Sequence, residues 1–365
     1  MSATLESTPA ADGFAMPAEW QPHHGCWMAW PHRPDNWRER GGPAQRAFAA
    51  VAAAIAAAEP VTVAAGAAQL ERARELLDPA IRVLEIPSDD AWMRDIGPTF
   101  LLDGTGRRRG VDWRFNAWGG LYEDWRLDEA LARRVLEIED ADRYRAPLVL
   151  EGGSFHVDGE GTVLTTEECL LNPNRNPDLT RAEIERLLCE YLGAEKVIWL
   201  GRGLPGDETD GHVDNLACFV APGVVLVTDT EESSGPLAEV CADARERLRG
   251  ATDARGRSLE VIPIHAPAPL AIEPHEAAGV GGVEGTHPRL AGDAMAASYV
   301  NFYPANGRVV YPLLDPARDE RAAEVLSGCF PGREVVGVPG REILLGGGNI
   351  HCITQQVPAV ARSGG

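Results

Sequence analysis

Two stretches far apart in the chain spell nearly the same thing: Gly152-Gly153-Ser154-Phe155-His156-Val157 and Gly347-Gly348-Asn349-Ile350-His351-Cys352. His212-Val213-Asp214 likewise repeats the order of His156-Val157-Asp158. An echo of this kind points to a fold that repeats one strand-and-helix unit around an axis, so that corresponding strands meet at a shared centre. Segments distant in sequence can then supply one pocket. The rest of the chain agrees, because helix-like and strand-like stretches alternate throughout. Periodicity predicts helices over 44–58, 67–77, 128–138, 180–192, 236–249 and 317–328. Strands are expected over 60–64, 81–86, 98–102, 154–158, 162–165, 196–200, 212–220, 224–228, 259–264, 298–303, 308–311, 334–338 and 348–354. The fold class is α/β, with more strands than a simple alternating open sheet provides.

A chain of 365 residues can bury an ample core. Its net charge of -21 argues against nucleic acid, which wants a basic face, and suits a cationic ligand. The seven cysteines are odd in number and never form Cys-x-x-Cys, which excludes a disulfide framework and a cysteine-rich zinc site; a reducing cytoplasm fits best. Residues 1–20 lack the basic-then-apolar order of a secretory leader, and Ala47–Ala58 is too short to cross a bilayer, so no membrane partner is expected. Pro267–Gly285 is loop-like but marks no change of composition. The expected organisation is therefore a flexible amino tail over 1–13, one catalytic domain over 14–358 and a flexible carboxy tail over 359–365.

The chemistry concentrates in four segments. Gly346-Gly347-Gly348 lets backbone approach a ligand closely and sets Cys352 just beyond it, as a nucleophile at a pocket edge with Gly348 against the substrate. Most buried cysteines are inert, so the thiol needs partners. On a strand, alternate residues share a face. His351 should then point away from Cys352, while His212 and Asp214, on one face in the acid-rich run Gly206–Asn215, make the better acid/base site. Asp95, in Ser88–Thr99, and Glu151, beside Gly152-Gly153, add carboxylates; for Asp89, Asp90 and Arg94 the alternative is a solvated turn with local ion pairs, which is the reading for Asp89.

Two rival readings come from other classes. A metal-dependent hydrolase could use His156, Asp158, His212 and Asp214 as ligands, but leaves Cys352 and its glycine run without a task. A polyamine-binding protein would bind tightly without turnover. Gly279–Gly285 lacks both the glycine spacing and the strand-to-helix context of a dinucleotide site.

These segments, together with Cys26-Trp27-Met28-Ala29-Trp30-Pro31, Asn36-Trp37-Arg38, Phe115-Asn116-Ala117-Trp118-Gly119-Gly120, Thr286-His287-Pro288-Arg289-Leu290-Ala291-Gly292-Asp293 and Ser298-Tyr299-Val300-Asn301-Phe302, resemble those of the agmatine deiminases. That group is a branch of the guanidine-modifying (pentein) superfamily that also holds bacterial peptidylarginine deiminases. The likeness runs from about residue 14 to 358 and departs in the amino tail, after Gly120 and over Arg308–Asp315. It implies a five-bladed α/β propeller of pseudo-repeated ββαβ units with a central pocket. It also implies hydrolysis of agmatine to N-carbamoylputrescine and ammonia without metal or organic cofactor, with peptidyl arginine or another guanidine as the alternative substrate. A small cationic guanidine is the expected partner, and homo-oligomerisation stays open.

Carried over position by position, the resemblance makes Cys352 the nucleophile, His212 the general acid/base, Asp95 and Asp214 the guanidinium clamps, and Glu151 the partner that orients or charges His212. Physical chemistry supports that cast. A guanidinium is planar and always charged, so two carboxylates can fix its plane while sulfur approaches the central carbon from the face. At an effective dielectric near 20, each close ion pair is worth about 4 kcal/mol before desolvation. For the distal ammonium, Glu208 and Asp210 are the candidates, with Trp92 and Trp118 walling the methylene chain.

Overall fold

The computed structural model describes residues 2–283, 286 and 288–360, and its strands form five sheets. In one, Gln355–Pro358 runs antiparallel to His23–Ala29, which crosses through helix Gly42–Ala56 to its parallel neighbour Val61–Ala65; Arg82–Glu85 extends the parallel set. Thr99–Asp103 pairs antiparallel with Arg108–Arg114, which reaches the parallel Asp142–Val149 through helix Arg126–Ile138. The same order recurs in Phe155–Val157, Thr162–Thr166, helix Arg181–Leu192 and Lys196–Leu200, and again in Ala217–Ala221, Val224–Asp229, helix Pro236–Gly250 and Glu260–His265. The fifth sheet keeps only a bridge, Tyr303 to Val310, for its antiparallel step before Arg308–Leu313, helix Asp319–Cys329 and Glu334–Pro339.

Local chemistry sets these bounds. Helix Arg181–Leu192 opens on a Thr180/Glu183 capping box and stops at Gly193, whose φ of 65° suits glycine, and it buries Ile184, Leu187, Leu188 and Leu192. Helix Gly42–Ala56 starts with Pro43 in its first turn and turns Phe48, Val51, Ala52 and Ile55 inward. The first strands of neighbouring units pack side by side, Gln355–Pro358 beside Thr99–Asp103 and Phe155–Val157 beside Ala217–Ala221. Just ahead of each such strand stand Asp95, Glu151, His212 with Asp214, Asn301 and Cys352.

All six expected helices are present within a few residues. Of the expected strands, one starts late and two are absent. His212–Asn215 is a turn and the strand starts at Ala217; Ser298–Phe302 is irregular; and Gly348–Thr354 is a series of turns ahead of Gln355. In each case the alternating apolar residues are buried by neighbouring segments rather than by a sheet face. His23–Ala29, Arg108–Arg114 and Asp142–Val149 are strands the periodicity does not reveal.

The amino segment expected to be a flexible tail is tied down: Thr4–Leu5 pairs with Asp142–Val149, and Asp12 accepts from Tyr144 and Arg109. Residues 361–365 of the expected carboxy tail, Glu284 and Gly285 of the glycine-rich loop, and His287 of its motif lie outside the described residues. Among the described residues no helix is long and apolar enough to cross a membrane.

Candidate active site

The turns ahead of three of the five strands, those carrying Asp95, His212 and Cys352, reach a pocket of about 390 Å³ lined by Trp92, Asp95, Trp118, Leu121, Tyr122, Glu208, Thr209, His212, Asn215, Gly346–Gly348 and Cys352; Asp214 stands behind Cys352 and Glu151 behind His212. Cys352 is 5% exposed, and its S–H donates to Asp214 Oδ2 at 3.3 Å while its sulfur accepts from Asn301 Nδ2 at 3.1 Å. Gly348 is what makes room: a Cβ there would come within 2.9 Å of Cys352 Sγ and 2.7 Å of the Trp92 ring. Trp92 is backed by Trp37, whose indole N–H donates to buried Asp90.

His212, Asp214 and Asp95 gather around one bare α-carbon. A Cβ on Gly153 would lie 2.7 Å from His212 Nδ1, 2.8 Å from Asp214 Oδ2 and 3.0 Å from Asp95 Oδ1. The Gly153 N–H donates to Asp95 Oδ1 at 2.8 Å, and the Trp118 indole donates to Asp95 Oδ2 at 2.9 Å. Gly153→Ala is therefore expected to fold with near-native helix content yet lose at least about 100-fold in kcat/KM, as a displaced near-attack geometry does. Circular dichroism and steady-state kinetics check this, and wild-type kinetics in that variant would contradict the packing described.

Each ionisable group has an identifiable environment. Burial pushes Asp95 up to about 6; His212 opposes that, while Asp214 and Glu151 add to it. Burial also acts on Asp214, but the His351 hydrogen bond and charge and the His212 charge hold its carboxyl below the usual range. Glu151 is held at about 2 against its burial by Arg175, whose Nε donates to Oε1 at 2.7 Å, and by His212. His212 has Asp95 Oδ1 3.9 Å from Nδ1 and Glu151 Oε2 3.8 Å from Nε2. Burial favours its neutral form, yet Asp95, Cys169 and Glu151 keep it well above an ordinary imidazole, hence charged near neutral pH. Burial raises the Cys352 thiol well above its usual range, with Asp214 and Asp95 adding to the effect; the Asn349 N–H and the Asn301 amide oppose it. The site thus holds a protonated thiol beside carboxylates, and among the described residues Asp214 Oδ1 is buried with no hydrogen-bond partner.

Other sequence-based assignments need correction. His351 lies on a turn, so strand parity does not apply; its ring nitrogens face Asp214 and Glu19 instead of the thiol. Asp210 does not line the pocket: at φ 62° its carboxylate receives Asn174 Nδ2 and Arg175 Nη1. Glu208 does line it, but both its oxygens pair with Arg289 at 3.0 Å, and Arg289 also donates to Asn36 and the Gly346 carbonyl. Arg94 is wholly buried on Glu19 rather than in a solvated turn. Among the described residues, His156, Asp158, His212 and Asp214 do not form a ligand cluster. His156 Nδ1 accepts the Phe219 N–H, and Asp158 caps the turn at Glu160 and Thr162. Asn301 and Gly153 were missed as site residues. The repeat could have found Asn301, since it occupies in the fifth unit the place that Asp95, Glu151, Asp214 and Cys352 hold in theirs.

The chain matches the Porphyromonas-type peptidyl-arginine deiminase family over residues 15–358. It is 58% identical to the agmatine deiminase of Pseudomonas aeruginosa (strain LESB58) over 359 residues, covering 97% of this chain and 98% of that one. The solved agmatine deiminase of Enterococcus faecalis superposes with a TM-score of 0.95 at 47% identity, covering 98% of this chain and all of the other. A cysteine-to-serine C. jejuni agmatine deiminase with substrate bound superposes at 0.82 with 25% identity, over 96% of this chain and 97% of that one. Matched from end to end in sequence and in fold, the chain belongs to the agmatine deiminases of the pentein superfamily, within the Porphyromonas-type peptidyl-arginine deiminase family.

Proposed function

We propose that the protein hydrolyses agmatine to N-carbamoylputrescine and ammonia, and that its five units close into a five-bladed α/β propeller with the site on the axis. The observation that carries the reading is the convergence of Asp95, Asp214 and His212 around Gly153, with Asp214 against the Cys352 thiol at the pocket and its Oδ1 buried and, among the described residues, unpartnered. Such a site calls for a cation with several N–H donors. The names of the P. aeruginosa and E. faecalis relatives support agmatine as that cation.

The guanidinium docks between Asp95 and Asp214, and its charge offsets theirs, so the thiol loses its proton to water through the pocket mouth. The Cys352 thiolate attacks the guanidinium carbon. The tetrahedral adduct collapses as imidazolium His212 gives its proton to the departing amine, leaving ammonia and an S-alkylthiouronium on Cys352. Neutral His212 then takes a proton from water, hydroxide adds to the same carbon, and the C–S bond breaks as the hydroxyl proton passes to the departing sulfur, which frees the ureido product and restores the Cys352 thiol and the His212 imidazolium. Glu151, fixed by Arg175, stabilises the imidazolium form. Asn301 steadies the sulfur throughout.

Substrate choice follows from the lining. Among the described residues no lysine or arginine lines the pocket, so no cationic side chain of the lining meets the α-carboxylate of arginine. Arg289 touches Glu208 from behind with every nitrogen already engaged. Agmatine, free arginine and a peptidyl arginine supplied in parallel, with ammonia and ureido product measured, test this. Agmatine is expected to win by a kcat/KM ratio of at least about 1,000; preference for either arginine form would overturn the substrate while sparing the chemistry.

A further inference from the structure

Behind Asp214 runs a chain of buried charges that the reaction above does not use. His351 Nδ1 lies 2.9 Å from Asp214 Oδ2, and His351 Nε2 lies 2.9 Å from Glu19 Oε2. Glu19 pairs with Arg94 at 3.0 Å and stands 3.6 Å from His156 Nε2. All five side chains are buried. A ring nitrogen that faces a carboxylate at hydrogen-bond distance must carry a proton, and here both nitrogens of one imidazole do so, which makes His351 an imidazolium. His156 takes the other role: its Nδ1 accepts the Phe219 N–H at 3.2 Å, so its single proton sits on Nε2, towards Glu19. That tautomer leaves His156 without an Nε2 lone pair, so Glu19, His156 and His351 are wired as a charge chain rather than as metal ligands.

We infer that His351 is a charged positioning residue that, anchored by Glu19 and Arg94, keeps Asp214 ionised and turns its Oδ2 to the Cys352 thiol while Oδ1 is left for substrate. The inference rests on the reading of Asp214 as a guanidinium clamp. Its sign follows from the facing groups. Burial and Arg94 oppose the His351 cation, Glu19 and Asp214 favour it, and the His156 ring lies 6.3 Å away. The cost of burying the Asp214 carboxylate is offset chiefly by the His351 hydrogen bond and charge. Without that cation, Asp214 would titrate at higher pH and would share its oxygens less predictably between thiol and guanidinium. A second cavity of about 280 Å³ reaches this chain at Glu19, His156, Asp214 and His351, and it shares no lining residue with the substrate pocket.

The test uses the full-length enzyme and three variants: His351→Gln, His351→Ala and Glu19→Gln. In His351→Gln the acid limb of kcat/KM for agmatine, which Asp95 sets near pH 6 in the wild type, should steepen and move to higher pH as Asp214 joins it, and KM should rise about tenfold or more, the loss of one charged hydrogen bond. Glu19→Gln should move both in the same direction by less, which keeps the claim testable if either His351 variant fails to fold. In His351→Ala, added imidazole can occupy the space the side chain leaves; rescue should be larger at about pH 6 than at about pH 8, because the imidazolium is the active form. A readout independent of turnover is alkylation of Cys352 by chloroacetamidine relative to iodoacetamide, whose ratio should fall in His351→Gln. If wild-type enzyme alkylates with cation selectivity but does not turn over agmatine, the substrate reading fails alone. An unmoved acid limb and an unmoved alkylation ratio in both His351→Gln and Glu19→Gln, or rescue that grows with pH, would overturn the positioning role.

Discussion

Cys352→Ala is expected to cut ammonia release from agmatine by roughly 10,000-fold or more, the scale seen when a covalent nucleophile is removed from an otherwise intact site. Binding should survive. The groups proposed to hold the guanidinium are Asp95 and Asp214, and neither takes its position from the sulfur: Asp95 is fixed by the Gly153 N–H and the Trp118 indole, and Asp214 by His351. Calorimetry with the variant should therefore give saturable, exothermic agmatine binding with no turnover. Cys169 is the natural control, because its thiol lies near His212 and Glu151 but is wholly buried and does not line the pocket. Cys169→Ala is expected to keep turnover within about tenfold of wild type; a larger loss there than in Cys352→Ala would move the chemistry to the other thiol.

Asp95→Asn should have opposite effects on activity and stability. Removing one carboxylate from a buried guanidinium pair is expected to cost about 3–5 kcal/mol of transition-state binding, or roughly 100- to 5,000-fold in kcat/KM. Stability should change the other way. Burial raises the folded-state pKa of Asp95 from 3.8 to about 6, so the folded protein holds this proton more tightly than the unfolded chain does. The resulting stability is fully present below about pH 4 and is lost as pH rises through about 6; above that, ionised Asp95 costs the fold about 3 kcal/mol. An asparagine carries no such cost. The variant should denature at a higher temperature than wild type at about pH 8, with the gap closing towards about pH 5. The acid limb of wild-type kcat/KM should lie near 6 for the same reason, since a protonated Asp95 cannot clamp a cation. A variant less stable than wild type at about pH 8 would show that Asp95 is not strained in the resting site.

What was legible in the sequence follows from how locally each feature is encoded. Helices such as Arg181–Leu192 carry their caps and apolar stripe within a dozen residues, so their bounds could be read directly. The turns holding His212, Asn301 and Cys352 could not, because they alternate apolar and polar residues like strands while being buried by segments from other units. Cys352, His212 and Asp95 line one pocket, with Asp214 3.3 Å from the Cys352 sulfur and Glu151 3.8 Å from the His212 ring; their roles remain those proposed above. Acidic residues alone, however, do not announce their partners. Asp210 and Glu208 look equivalent in Gly206–Asn215, yet one is bound by Arg175 and the other by Arg289, both far away in sequence. His351 was set aside on strand parity, and its contacts with Asp214 and with Glu19, at the opposite end of the chain, became visible only in three dimensions.

The central claim is the covalent bond between Cys352 and the guanidinium carbon. Wild-type enzyme mixed with agmatine, quenched in acid within one turnover and analysed by intact-protein and peptide mass spectrometry, tests it directly. The expected result is a transient adduct equal to agmatine less one ammonia, on the peptide that carries Cys352, appearing and decaying at rates that account for steady-state turnover. Turnover with no such adduct, with the decay rate shown to be slow enough for capture, or an adduct on a different residue, would contradict it.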